Sequence, residues 1–232
     1  MDKDLTILKD MTNEELGIIV DIMCGKWSVS KELKNLKETG GDYKGHEELI
    51  ADELCLFGGN TIINFPRGKG VPYREILTDV CKKLKVPFNP ARSIEHIEGN
   101  LLETVLEKMW EKMTPSEKEQ ILKELGKKKS GVGSITLAIL IEIMRRGGFG
   151  TYTIALAIAN AIAKVVLGRG LTIVANATLT KILSVFLGPI GWFLTSIWTI
   201  YDLAGPSLKV TIPSVVFIAA MRAAHGADKT KE

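Results

Sequence analysis

The chain has 232 residues, 46% apolar and 25% charged, which excludes a disordered chain and supplies enough apolar material for a sizeable core. A net charge of +3 with only 6% aromatic residues excludes the basic, aromatic-laced stripe of a nucleic-acid binder. The three cysteines, Cys24, Cys55 and Cys81, are odd in number and widely spaced with no CxxC, which argues against a disulfide framework or a zinc site. Each reads as a small buried side chain, reduced in a cytosolic compartment. The start, Met1-Asp2-Lys3-Asp4, has no basic region followed by an apolar one and is not expected to be a secretory signal.

In chain order, the first elements are amphipathic helices. Thr12-Asn13-Glu14-Glu15 is a capping box, followed by Leu16, Ile19, Val20 and Met23 at helical spacing and by Gly25 at a C-terminal position. A short helix is predicted over 28–36 and a loop over 37–44, which holds Gly40-Gly41. The next helix, 46–57, puts Leu49, Ile50, Leu54 and Phe57 on one side and ends at Gly58-Gly59. Residues 61–70 contain Pro66, Gly68 and Gly70 and support at most a broken helix. Pro72 then opens a helix with Ile76, Leu77, Val80 and Leu84 as its apolar face, which Pro87 and Pro90 stop. Ser93 opens a longer helix with Ile94, Ile97, Leu101, Leu102, Val105, Leu106, Met109 and Trp110. Thr114-Pro115-Ser116-Glu117 is a second capping box, with proline at the first helical position.

Composition changes sharply after Lys127-Lys128-Lys129. Between Gly131 and Gly205 the charged residues are Glu142, Arg145, Arg146, Lys164, Arg169, Lys181 and Asp202 alone. Glycines divide this part into predicted helices over 134–144, 151–167, 171–187 and 190–203, with Gly188-Pro189 separating the last two. A final helix is predicted over 214–224, after Thr211-Ile212-Pro213, and the tail from Gly226 is expected to fray. Strands over 171–174 and 208–215 are disfavoured, because neither alternation nor hairpin turn pairs accompany them.

The expected architecture is an all-α multi-helix bundle with a charged N-terminal part and a very apolar, Gly/Ala-rich C-terminal part. The boundaries drawn from composition are 1–42, 43–126, a basic linker 127–134, an apolar region 135–225 and a polar tail 226–232. Residues 182–201 carry no charge over about the length that crosses a bilayer. Ala155, Ala159 and Ala163 recur every four residues, the spacing at which small side chains let helix backbones approach closely, in lipid or in a tight soluble core. Gly188, Pro189, Gly191, Trp192 and Trp198 complete the candidate membrane or packing set.

No catalytic motif is found. His46, His96 and His225 lie far apart and read as solvated surface residues. The glycine-rich runs at Arg67-Gly68-Lys69-Gly70 and Gly147-Gly148-Phe149-Gly150 lack the phosphate-loop form and read as helix punctuation. No cofactor, metal or small-molecule substrate is expected. Lipid and a protein partner, including a second copy, are the partner classes that the composition admits.

One segment carries a resemblance. Leu49-Ile50-Ala51, Glu53-Leu54, Phe57-Gly58-Gly59, Arg67-Gly68 with Gly70, Tyr73-Arg74, Ile76-Leu77 and Asp79-Val80 resemble the pattern of the YaaW-like family of bacterial proteins. Leu101-Leu102-Glu103, Trp110, Lys112-Met113, Gly188-Pro189 with Gly191, and Val210-Thr211-Ile212-Pro213 continue it. The resemblance implies an intracellular bacterial helical protein with no known active site; some members carry a label of similarity to ubiquinol-cytochrome c chaperones. Tyr73, Arg74, Asp79, Phe57, Gly58 and Gly59 are its interaction candidates. These residues read as structural first, by ordinary packing and solvation; an interaction site of Tyr73-Arg74 with Asp52 or Glu53 of the preceding helix is the alternative. Two functions follow as expectations: a non-enzymatic protein acting at or in the inner membrane, as a membrane-perturbing stress or defence effector, or a soluble helical adaptor or chaperone-like protein.

Overall fold

The structure is a computed structural model that describes residues 1–25, 29–58, 70–126, 137–172, 177–200 and 207–229. All regular structure among them is helical. A 3-10 helix, Lys3–Lys9, leads into α1 (Asn13–Cys24), α2 (Lys31–Glu38), α3 (Glu47–Gly58), α4 (Tyr73–Leu84), α5 (Ile94–Lys112) and α6 (Pro115–Glu124). The apolar part follows as α7 (Leu137–Arg146), α8 (Gly148–Leu167), α9 (Ala177–Ile200) and α10 (Ser207–Lys229). Both predicted capping boxes form: Thr12 with Glu15 opens α1, and Thr114 with Glu117 opens α6. Ser30 and Ser93 cap α2 and α5 in the same way, each accepting from an amide three residues on. Gly59, the linker 127–134 and most of the predicted broken helix at 61–70 lie outside the described residues.

Two expectations about helix ends give way. Gly188-Pro189 does not divide the chain, because α9 runs unbroken through Pro189. Proline costs the helix one backbone bond and some crowding. Here Val185, Phe186, Pro189, Ile190, Phe193 and Leu194 are buried on both sides of the break, and that packing holds the helical path. Likewise α10 begins at Ser207, runs through Pro213, and continues past Gly226 to Lys229. The expected frayed tail is helical because Ala224 and Ala227 are still buried.

The most apolar helix takes the middle. α8 is buried at every position from Thr151 to Ala163 except Tyr152, as a helix that is apolar all round must be. α10 packs along one side of it and α9 along the other. The charged helices then cover these two: α1, α3, α4 and α5 bear on α10, while α5 and α6 bear on α9. One apolar cluster runs from Leu5 to Met221 without interruption at the compositional boundary. The segment leaving α8 doubles back along it, since the Leu171 amide donates to Asn160 Oδ1 at 2.8 Å and the Thr172 amide to Glu14.

Candidate functional site

Among the described residues three helices are long and apolar enough to cross a membrane: Gly148–Leu167 within α8, Ala177–Thr199 within α9 and Leu208–Asp228 within α10. They are not equally covered. About 78% of the α10 stretch and 67% of the α8 stretch are buried, against 44% for α9. α9 keeps an open stripe at helical spacing: Lys181, Ser184, Gly188, Trp192, Thr195 and Thr199. Trp192 is 42% exposed, with the Lys112 ammonium 4.0 Å above its ring. Two of the stripe's hydroxyls turn inward, Ser184 to the Lys181 carbonyl at 2.7 Å and Thr199 to the Thr195 carbonyl at 2.9 Å. This satisfies them without water.

The other candidates are interior. Ala155, Ala159 and Ala163 are fully buried in α8. Gly188 is exposed with open space around it; Gly191 is half-buried, and a side chain there would touch Val165 of α8. Trp198 is half-buried, and its indole N–H has no acceptor among the described residues. Phe57 packs partly buried on the core. Gly58 ends α3 against α4, where an added Cβ would meet Ile76 at 2.2 Å and Val71 at 2.9 Å.

Tyr73 and Arg74 do not form the alternative site with Asp52 or Glu53; they find other partners. Glu53 instead accepts from the Ser30 amide at 3.0 Å, and Asp52 is exposed. Tyr73 is fully buried and donates to Glu98 Oε1 at 2.8 Å. Arg74 reaches Asp4 at 3.2 Å and the carbonyls of Arg92 and Pro90 at 2.7 and 3.2 Å. Asp79 pairs locally, with Lys82 at 3.1 Å.

Glu98 is the centre of this network. Its second oxygen accepts from Arg222 Nε at 2.6 Å, and Arg222 also donates to the Asp4 carbonyl at 2.5 Å. The pair is deep, with the Glu98 side chain 2% exposed and Arg222 13%. Burial pushes the Glu98 carboxyl up to about 7, against the pull of Arg222 and Tyr73. Burial and the neighbouring Glu98 both hold the Tyr73 hydroxyl well above its ordinary range.

A second pair lies three residues further along α10. His225 sits 3.1 Å from Glu15, so it is not the solvated surface histidine expected. Burial alone would raise the Glu15 carboxyl, but bonds from His225 and from the Thr12 amide and hydroxyl outweigh it and hold the group below the usual range. His46 and His96 are exposed, as expected.

A cleft opens beside each pair. The one beside Arg222 is about 790 Å³, with His96, Glu98, Arg145 and Thr151 among its lining. The one beside His225 is about 490 Å³, with Glu15, Tyr152 and Thr172. Among the described residues no three His, Cys, Asp or Glu side chains are placed to hold a metal ion. Cys55 and Cys81 are buried, and burial pushes both thiols up to about 12, which keeps them unreactive.

Sequence reasoning missed Glu98, Arg222, Glu15 and Asp4 as network members. One signal was legible: Glu98 occupies the apolar stripe of α5, between Ile94, Ile97 and Leu101, Leu102, where only a partnered charge can sit.

The relatives of this sequence are bacterial. A UPF0174 protein of Helicobacter pylori strain J99 is 38% identical over 230 residues, covering 95% of this chain and 91% of the relative. A second UPF0174 protein of that strain is 36% identical over 203 residues, covering 84% and 97%. The UPF0174 protein YaaW of Escherichia coli O157:H7 is 30% identical over 235 residues, covering 95% and 94%. No family model and no solved structure matches the chain.

Proposed function

This chain belongs to the UPF0174 family, and we propose that it is a non-enzymatic protein that acts at the bacterial inner membrane by delivering its apolar C-terminal helices to the bilayer. The observation that carries the reading is the set of three membrane-length helices inside a shell of charged ones. α9 is the first to engage. It is the least covered of the three, and its open stripe combines Trp192 with two hydroxyls, of Ser184 and Thr199, satisfied by their own helix. The ionisable groups beside the clefts tie helices to one another, which is why the reading is not catalytic. Perturbation of the bilayer, as in a stress or defence effector, is the activity that such helices deliver.

A soluble adaptor is the second reading. The nearly complete burial of α10 and its two inner ion pairs favour it, because they are the features of a core that stays closed in water. Fractionation of the protein at its natural expression level, with a carbonate wash of the membrane pellet, separates the two. Retention in the washed membrane is the expected outcome. A wholly soluble protein that also leaves dye-loaded vesicles intact would make the adaptor reading the function.

A further inference from the structure

Several ion pairs among the described residues join the two halves of the chain, and they share one sense. Residues 1–126 contain 18 Lys and Arg against 23 Asp and Glu, a net of −5; residues 127–232 contain 12 against 4, a net of +8. Five pairs among the described residues join a carboxylate of the first part to a cation of the second: Glu103 to Arg145, Asp21 to Arg169, Glu124 to Lys181, Glu98 to Arg222 and Glu15 to His225.

Three of the five are built to exchange. In the Arg145, Arg169 and Lys181 pairs the cationic side chains are 66%, 49% and 53% exposed, while their carboxylate partners are only 17%, 17% and 13% exposed. The carboxylate is seated in the charged half, and the cation lies over it with its other side to solvent. Exposed pairs of this kind hold weakly. A basic side chain gains a comparable amount at an anionic membrane surface. All three cations sit on or beside the membrane-length helices: Arg145 just before α8, Arg169 just after it, and Lys181 in the second turn of α9.

Resting on the membrane reading above, we infer that the carboxylates Asp21, Glu103 and Glu124 form an electrostatic latch, occupying the cations that otherwise pair with the phosphates of an anionic phospholipid bilayer. The bilayer competes for Arg145, Arg169 and Lys181, and their transfer loosens the charged helices from α8 and α9. The inner pairs of Arg222 and His225 are more deeply buried than the other three and open only after the latch has gone. A nucleic acid offers the same phosphates but nothing for the apolar helices to enter, so lipid is the partner the arrangement fits.

The test uses the full chain and its D21N/E103Q/E124Q variant, with folding of each checked by circular dichroism. Binding is measured on vesicles of phosphatidylglycerol mixed with phosphatidylcholine, on phosphatidylcholine alone, and on a short DNA duplex. The expected result is roughly tenfold tighter binding of the variant to the phosphatidylglycerol vesicles, from three released cations, with little binding to phosphatidylcholine. R145Q/R169Q/K181Q, read in parallel, is expected to lose binding to those vesicles; it decides the matter if the carboxylate variant does not fold. Unchanged binding of either variant overturns the latch while leaving the membrane reading intact. Equal binding to both vesicle types overturns the anionic partner alone. Binding to DNA but not to vesicles overturns the lipid assignment, and a failure of every form to bind any vesicle overturns the membrane reading together with the latch.

Discussion

Glu98 is a carboxyl in an apolar stripe, and its protonation is coupled to folding. Burial raises it from the ordinary range to about 7. A raised acid binds its proton more tightly in the folded chain, so its contribution is fully present below about 4.5 and is lost as pH rises through about 7. Glu98→Gln mimics the neutral form and removes that slope. Urea unfolding at pH 5 and pH 8 is expected to show the stability difference moving in favour of the variant at the higher pH. A constant difference would mean that Glu98 does not titrate in this window. Removal of its cation has another effect. Arg222→Met strands the buried carboxyl and the Asp4 carbonyl together, and a loss of about 3 kcal/mol is expected in the same assay at pH 8. Gly70 is fixed by contact of a different kind: a Cβ there would lie 2.3 Å from the Cys55 carbonyl carbon. That neighbour is backbone and cannot swing aside, so Gly70→Ala is expected to lower stability by about 1–3 kcal/mol.

At the scale of the element, α8 is the part whose sequence and environment agree most closely. Its alanine ladder lies between α9 and α10, and Ala159 is fully buried. Ala159→Leu adds three carbons where no space exists. A loss of about 1–3 kcal/mol is expected, read as a lower midpoint in urea; an unchanged midpoint would show that the ladder does not set the helix spacing. The same ladder reads equally well as a membrane or a soluble interface, because close backbone approach needs small side chains in both. α9 illustrates the opposite relation. Its local sequence asks for a break at Gly188-Pro189, and packing of the turns on either side overrides it. The capping boxes at Thr12 and Thr114 were legible from four residues each, since their hydrogen bonds close within one turn.

For the whole molecule, the latch predicts that salt acts as a trigger. The exposed pairs are screened as ionic strength rises, whereas the inner pairs are not. Proteolysis between the two halves is therefore expected to quicken at high salt before any loss of helix content appears by circular dichroism. Simultaneous loss of both would show a single cooperative unit with no latch. The sequence by itself determined the helical class, most of the helix starts, the family resemblance now supported by relatives 30–38% identical, and the presence of membrane-length apolar segments. Each of these depends on residues within a few turns of one another: hydrophobic period, caps and composition. The tertiary structure decided the rest. It put the last helix beside α8 under the charged ones, paired Glu98 with Arg222 across 124 residues and Glu15 with His225 across 210, and gave these and three further described pairs between the halves one polarity. Such pairings are invisible to local pattern, because which carboxylate meets which cation is set by how the helices stack, and the stacking is set by the burial of α8.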